Sequence, residues 1–156
     1  TYKLDNTLQL TGYVTKDHYT FDSWYTDAKY TKKITEITAG TYGDITLYAK
    51  MIPDTYSITY KNVEDILNTD QLTTSYVYGI EMIPVVPTKN CFIFDGWYLD
   101  EDLTKVFTGI SSTTSGDLEL YAKWKENHDL DKENGVVIKE ATTISEGEIR
   151  YQCKHL

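Results

Sequence analysis

Cysteine is scarce in this chain. Of 156 residues only Cys91 and Cys153 are cysteines, too few for the disulfide framework that staples many small secreted folds. Cys91 sits in the apolar run Cys91-Phe92-Ile93-Phe94 and Cys153 in a separate tail, so both are expected as free thiols. Histidine is nearly as rare: His18, His128 and His155 recur in no shared Ser, Cys or acidic context, which gives no support to a nucleophile–base pair. No H-E-x-x-H and no phosphate-cradling glycine loop occurs. No apolar run approaches the roughly 20 residues that a spanning helix needs, so no membrane insertion is expected within this segment. Basic residues are outnumbered, 15 against 24 acidic, for a net charge of −9. A polyanion repels phosphate backbones, which argues against nucleic acid as a partner. No charged-then-apolar leader precedes Thr1, so any signal peptide is expected either to have been removed or never to have been part of this segment.

What the chain has in abundance is tyrosine, 14 residues against 3 Trp and 4 Phe. Tyrosine and threonine suit half-buried pleated surfaces, which points to strand. The strongest signal is internal repetition. Thr20–Met51 aligns without a gap on Ile93–Trp124. Identical pairs include Phe21/Phe94, Asp22/Asp95, Trp24/Trp97, Tyr25/Tyr98, Asp27/Asp100, Thr31/Thr104 and Lys32/Lys105. Further along come Ile37/Ile110, Gly43/Gly116, Asp44/Asp117 and the run Leu-Tyr-Ala-Lys at 47–50 and 120–123. This is a duplication, and a fixed repeat period signals an array architecture. The shared residues are large aromatics, glycines and turn formers, the set a small fold needs for packing. Trp24 and Trp97 therefore read as core anchors rather than as platforms for stacking on sugar.

Local patterns place elements on the repeat. Tyr19–Tyr25 and Phe92–Tyr98 are dense in β-formers. Leu118, Leu120, Ala122 and Trp124 alternate with Glu119, Tyr121 and Lys123, as in a half-exposed strand, and Leu47, Ala49 and Met51 repeat the pattern. Tyr56, Ile58 and Tyr60 alternate with Ser57 and Thr59 to give an opening strand. Tyr76-Val77-Tyr78 forms another, and Pro84 and Pro87 bracket an extended link. Leu103, Phe107 and Ile110, like Tyr30, Ile34 and Ile37, fall at i, i+4, i+7 and predict a helical turn or two. A capped turn is also predicted at 62–67. One conflict stands out. Phe21 and Trp24, or Phe94 and Trp97, are three residues apart, so a regular strand would point them to opposite faces. Either an irregular strand occurs there, with a bulge near Ser23 and Gly96, or the strand is buried on both faces.

The string from Pro87-Thr88-Lys89 through Phe94-Asp95-Gly96-Trp97-Tyr98 to Leu120-Tyr121-Ala122-Lys123-Trp124 resembles the Listeria–Bacteroides repeat, the internalin B-repeat-like module. The resemblance implies β-rich α+β modules, small and β-grasp-like (ubiquitin-like), in tandem on secreted or surface-anchored microbial proteins. It carries no catalytic residues and no cofactor. His18 and Cys91 stand where that family prefers glycine, Ser23 replaces the second glycine that Gly96 keeps, and Met51 replaces the closing tryptophan.

The expected organisation is an N-terminally truncated module at 1–51, lacking the counterpart of the Tyr56–Tyr60 strand, and a complete module at 56–124. A linker at 125–135 and a partial β module at 136–156, a short hairpin tail, complete it. The tail ATTISEGEIRYQCKHL resembles short Cys-containing repeats of bacterial surface proteins, but Thr143 and Leu156 take two of the cysteine positions. Cys153 and His155 then remain as two ligands where structural zinc wants four, so no metal site is expected. Asp95, Asp100, Glu101 and Asp102 form an acidic loop with oxygen ligands of the kind calcium takes, yet the first copy offers Ala28 and Lys29 there, so a solvated loop is expected. The chain reads as a non-catalytic cell-surface or secreted stalk or adhesive module, meeting a surface protein or glycan of a host or neighbouring cell. The alternative is a glycan-binding module using exposed rings in a row, Tyr25, Tyr48, Tyr98 and Tyr121.

Overall fold

A computed structural model of the chain describes residues 5–127, 135–139 and 147–150. Its residues group into two compact units. The first holds the chain up to Thr55 with Val77–Gly79 and Thr113–Ser115, and the second holds Tyr56–Tyr76, Ile80–Ser112 and the chain from Gly116 onward. The architecture is β-rich, built from several small sheets.

In the first unit, β1 (Leu8–Gln9) pairs antiparallel with β4 (Glu36–Ile37). A three-stranded sheet has the order β3-β2-β5, where β2 is Tyr19–Tyr25, β3 Lys33–Ile34 and β5 Tyr48–Pro53. The second unit carries five strands in the order β7-β6-β10-β8-β9. These are β6 (Thr55–Lys61), β7 (Ser75–Val77), β8 (Phe92–Tyr98), β9 (Val106–Phe107) and β10 (Leu118–Glu126). Its first and last strands, β6 and β10, lie side by side and parallel, with Leu118 opposite Ile58 and Tyr121 opposite Lys61. In the tail, β11 (Val136–Lys139) and β12 (Glu148–Arg150) form an antiparallel pair.

The conflict over strand parity is resolved by a bulge in each copy. Ala122 faces Trp97 and Lys123 faces Gly96, but Trp124 faces Phe94, which leaves Asp95 as the extra residue. In the first unit Ala49 faces Trp24, Lys50 faces Ser23 and Met51 faces Phe21, leaving Asp22 extra. One inserted residue returns the two aromatics to one face. Their ring centroids lie 5.1 Å apart for Phe94–Trp97 and 5.4 Å for Phe21–Trp24. Gly96, at φ 138, takes a backbone conformation that side chains resist.

The core of the second unit gathers Ile58, Tyr76, Trp97, Ile110, Leu120 and Ala122, with Tyr60, Phe94 and Trp124 packed around them. Trp97 is 4% exposed, its ring 4.9 Å from that of Tyr60, and its Nε1 donates to the Val85 carbonyl at 3.2 Å. The indole thus buries its apolar surface without stranding its N–H. Trp24 Nε1 likewise donates to Gly12 O at 2.8 Å, but the ring is only half-buried.

The helical turns expected from apolar spacing do not form. Among the described residues the helical content is one 3-10 turn, Thr69–Gln71. Leu103 and Tyr30 take left-handed φ values of 54 and 55, and in the 62–67 segment Asn62 and Asp65 sit at 59 and 60. A left-handed residue breaks a right-handed helix. Phe107 instead joins β9 opposite Trp97, and Ile34 joins β3 opposite Trp24. Apolar residues three and four apart are here spread over a turn, a short strand and a bridge, all feeding one core.

Because Trp97 is buried and Trp24 only half-buried, their truncations should differ. Trp97→Ala is expected to cost about 3–5 kcal/mol in urea-unfolding measurements, the range for a deleted buried aromatic. Trp24→Ala should cost clearly less. Equal losses would contradict the difference in burial.

Candidate functional site

Each copy spends its shared polar residues in the same way. Asp100 follows β8, and its carboxylate accepts the backbone N–H groups of Thr104 at 2.9 Å and Lys105 at 3.0 Å, with the Thr104 hydroxyl as a third donor. Leu99 N–H then donates to Lys105 O at 2.9 Å, closing the turn into β9. Asp27 does the same in the first unit, accepting from Thr31 N–H at 3.1 Å and Lys32 N–H at 2.7 Å, while Thr26 N–H donates to Lys32 O at 3.0 Å. A side-chain oxygen that satisfies loop amides lets a tight turn form without a helix. The sequence signal was the shared Asp-x-x-x-Thr-Lys spacing, whose role the helical periodicity obscured.

The residue added by each bulge points its carboxylate at lysines of the neighbouring strand. Asp95 lies 2.5 Å from Lys125 Nζ and 3.8 Å from Lys123 Nζ. Asp22 lies 3.4 Å from Lys50 Nζ. The same lysines lean over tyrosine rings, Lys123 at 5.0 Å from the Tyr98 centroid and Lys50 at 5.7 Å from that of Tyr25. Tyr25 also donates its hydroxyl to Asp22 at 3.0 Å.

Of the expected acidic loop, Asp95 and Asp100 are thus separately engaged, one by lysines and the other by its own backbone. Among the described residues, no three His, Cys, Asp or Glu side chains come together as a metal cluster. The hydrogen bond from Lys125 holds the Asp95 carboxyl below the usual carboxylate range, and the Thr104 hydroxyl does the same for Asp100. The Tyr25 hydroxyl lowers Asp22.

The tyrosines that the glycan-binding alternative would set in an exposed row do not all lie open. Tyr25 and Tyr98 are buried, at 7% and 8% exposure. Tyr121 is half-buried and donates to Glu119, which pushes its pKa up to about 12. Tyr48 is exposed. Among the described residues the most open tyrosine rings are Tyr13 and Tyr42, at 74% and 77%, which match no identical residue in the other copy and so left no trace in the alignment.

His18 and Cys91, the two residues standing in for glycine, both sit at left-handed φ, 63 and 67. Each is the third residue of a tight turn, closed by Tyr19 N–H to Lys16 O at 3.0 Å and Phe92 N–H to Lys89 O at 3.3 Å. Positive φ at that position is what type II turns require and glycine meets most cheaply. The expectation of a free thiol at Cys91 is corrected: Cys91 is disulfide-bonded. Neighbouring residues carry no pattern that pairs one remote cysteine with another, so sequence offered no rule for it. Cys153, His128 and His155 lie outside the described residues.

The second unit also carries an open cleft of about 350 Å³, lined by Leu67, Val86, Pro87, Lys89, Phe92 and Phe94 among others. Asn68 braces its wall, donating Nδ2 to Val86 O at 3.1 Å and accepting Thr88 N–H on Oδ1 at 2.9 Å. Leu67 and Val86 stand 61% and 59% exposed at its edge, a concave apolar surface able to receive a side chain of a partner.

The profile of the Listeria–Bacteroides repeat domain matches residues 1–50 and again 56–123. A protein of Evansella cellulosilytica, provisionally named a Gly-rich membrane protein, is 34% identical over 112 residues, which cover 72% of this chain and 13% of that protein. Internalin H of Listeria monocytogenes is 35% identical over 124 residues, covering 72% of this chain and 20% of internalin H. The chain therefore spans a fifth or less of the length of these relatives. No solved structure matches it.

The depressed carboxylates set a pH dependence. A carboxyl whose folded pKa is lowered contributes stability above its unfolded value, near 3.9, and loses it as pH falls through the lower folded value. With Asp22, Asp95 and Asp100 all lowered, the melting temperature should hold from pH 7 to about 5 and fall below about pH 4. Asp100→Asn should flatten part of that fall. A melting temperature that rises on acidification would refute this assignment.

Proposed function

The chain belongs to the Listeria–Bacteroides repeat domain family, and on that premise we propose that it is a non-catalytic tandem-repeat segment of a microbial cell-surface or secreted protein, acting as a stalk, spacer or adhesive protein-interaction module. The observation that carries this reading is where the shared residues go. Phe94, Trp97, Asp95, Asp100 and their first-copy counterparts are consumed by a core, a bulge and a loop. Such groups are held by their own fold and are not offered to a substrate. Relatives several times longer than this chain, one an internalin and one named as a membrane protein, fit a repeat carried within a larger surface protein.

In this reading the modules are 1–51 and 56–124, followed by a linker at 125–135 and a β tail at 136–156. The second module is read as β-grasp-like, which the parallel pairing of its first and last strands supports. The partner is a surface protein or glycan of a host or neighbouring cell, and the location is extracellular. The cleft at Leu67 and Val86 favours a protein contact. The exposed Tyr13 and Tyr42 are what a glycan reading would use, although burial of Tyr25 and Tyr98 removes half of the row proposed for it.

A glycan array probed with the purified chain tests the choice. The expected outcome is no retained glycan. Retention that disappears in a Tyr13→Ala, Tyr42→Ala double variant of unchanged melting temperature would replace the spacer reading with a lectin-like one.

A further inference from the structure

The turns at His18 and Cys91 are alike in more than their backbone. In each copy a lysine leans over the ring that follows the turn, Lys16 at 3.7 Å from the Tyr19 centroid and Lys89 at 5.1 Å from that of Phe92. In each, the residue just after the closing strand reaches back to the turn. Asp54 N–H donates to His18 O at 2.9 Å, and Asn127 N–H to Cys91 O at 2.8 Å. Asp54 and Asn127 stand at matched positions of the repeat. In the first unit this turn is covered by later chain. Tyr78, which directly follows β7, lays its ring 4.5 Å from that of His18 and 5.7 Å from that of Tyr19. Its N–H donates to Asp54 O at 2.9 Å. After Asn127 the chain again forms two paired strands, β11 and β12. Tyr78 lies 24 positions beyond Asp54, and Cys153 lies 26 beyond Asn127. Beside Cys91 is the open cleft already described, with Leu67, Val86 and Ile93 exposed on it. Cys91 is disulfide-bonded, and the sequence holds one other cysteine, Cys153.

We propose that Cys91 bonds to Cys153, and that the cleft beside Cys91 is the docking site of residues 151–153 of this chain. That segment covers the Cys91 turn as Tyr78 covers the His18 turn, with a covalent bond in one copy where the other has a ring contact. A disulfide holds its two Cα atoms within about 7 Å, so the bond fixes the segment at the cleft wall. Tyr151 stands two residues before Cys153, on the same side of an extended segment. Its ring is the apolar group that enters the cleft. Forming the bond takes two protons and two electrons from the two thiols. An external disulfide, of protein or of glutathione type, accepts both and becomes two thiols. This inference rests on the matched turns and the bonded state of Cys91, not on the spacer role, so either can fail alone.

The test uses the whole chain equilibrated with oxidised glutathione. Trypsin digestion without reductant should give peptides 90–105 and 151–154 joined, from a monomeric chain, and separate after reduction. Amide hydrogen exchange by NMR then reads the docking. The N–H groups of Leu67, Phe92 and Asn127 bond to Thr88, Lys89 and Cys91 around the cleft. Their exchange should be at least tenfold faster in Cys153→Ser, while that of Asp54 and Tyr78 in the first unit stays the same. Tyr151→Ala keeps the bond and should speed the same three amides several-fold. Alkylation of both cysteines in the unreduced chain overturns the proposal. So does a dimer that reduction dissolves, which would assign the bond to a second molecule. Unchanged exchange at the three amides in either variant overturns the docking of the segment in the cleft.

Discussion

Everything in this fold depends on one inserted residue per copy. A β-strand alternates its side chains, so Phe94 and Trp97 could share a core only if the strand lost register between them. The bulge at Asp95 supplies that loss, as the one at Asp22 does for Phe21 and Trp24. Both large rings then enter one hydrophobic cluster, and the extra residue is left to face the lysines of the adjacent strand. Packing and the ion pairs are thus consequences of one backbone irregularity. A substitution that abolished the bulge would turn one aromatic to solvent and strand the carboxylate.

The polar residues tell the same story. In many proteins a repeated Asp, Thr and Lys would suggest a site. Here the Asp100 carboxylate accepts the amides of Thr104 and Lys105, and Asp95 is held by Lys125. Each group compensates a backbone or a charge that folding would otherwise leave exposed or unpaired. The same carboxylates serve the same architecture in both copies, and this joins the site description to the proposed structural or adhesive role.

The copies also show how much of burial belongs to a neighbour and not to the residue. Trp24 and Trp97 share flanking Phe, Asp and Tyr residues, a bulge at the matched position and an indole-to-carbonyl hydrogen bond. Yet one is half-buried and the other nearly sealed, because Ile58, Tyr60 and Tyr76 crowd the second unit. The greater exposure of Trp24 therefore reports fewer covering neighbours among the described residues, and not a different local sequence pattern.

Local spacing alone was enough to determine several features of this chain. The duplication, the strands at Phe92–Tyr98 and Leu118–Trp124, the opening strand at Tyr56–Tyr60 and the need for an irregular strand at the Phe–Trp pair all follow from periodicity and identity. The family pattern marked glycine-preferring positions at His18 and Cys91, but only the structure shows them as positive-φ turn residues. Other features lay beyond it. The spacing of Leu103, Phe107 and Ile110 reads as a helical face, but the Asp100 carboxylate accepts the amides of Thr104 and Lys105, and Leu103 takes a positive φ. That competition is settled by hydrogen bonds across the turn. The burial of Tyr25 and Tyr98, the bonded state of Cys91 and the parallel seating of β6 on β10 join residues far apart in sequence. Only tertiary structure decides them, because the partner that buries, bonds or pairs with each residue lies on a segment its own neighbours cannot specify.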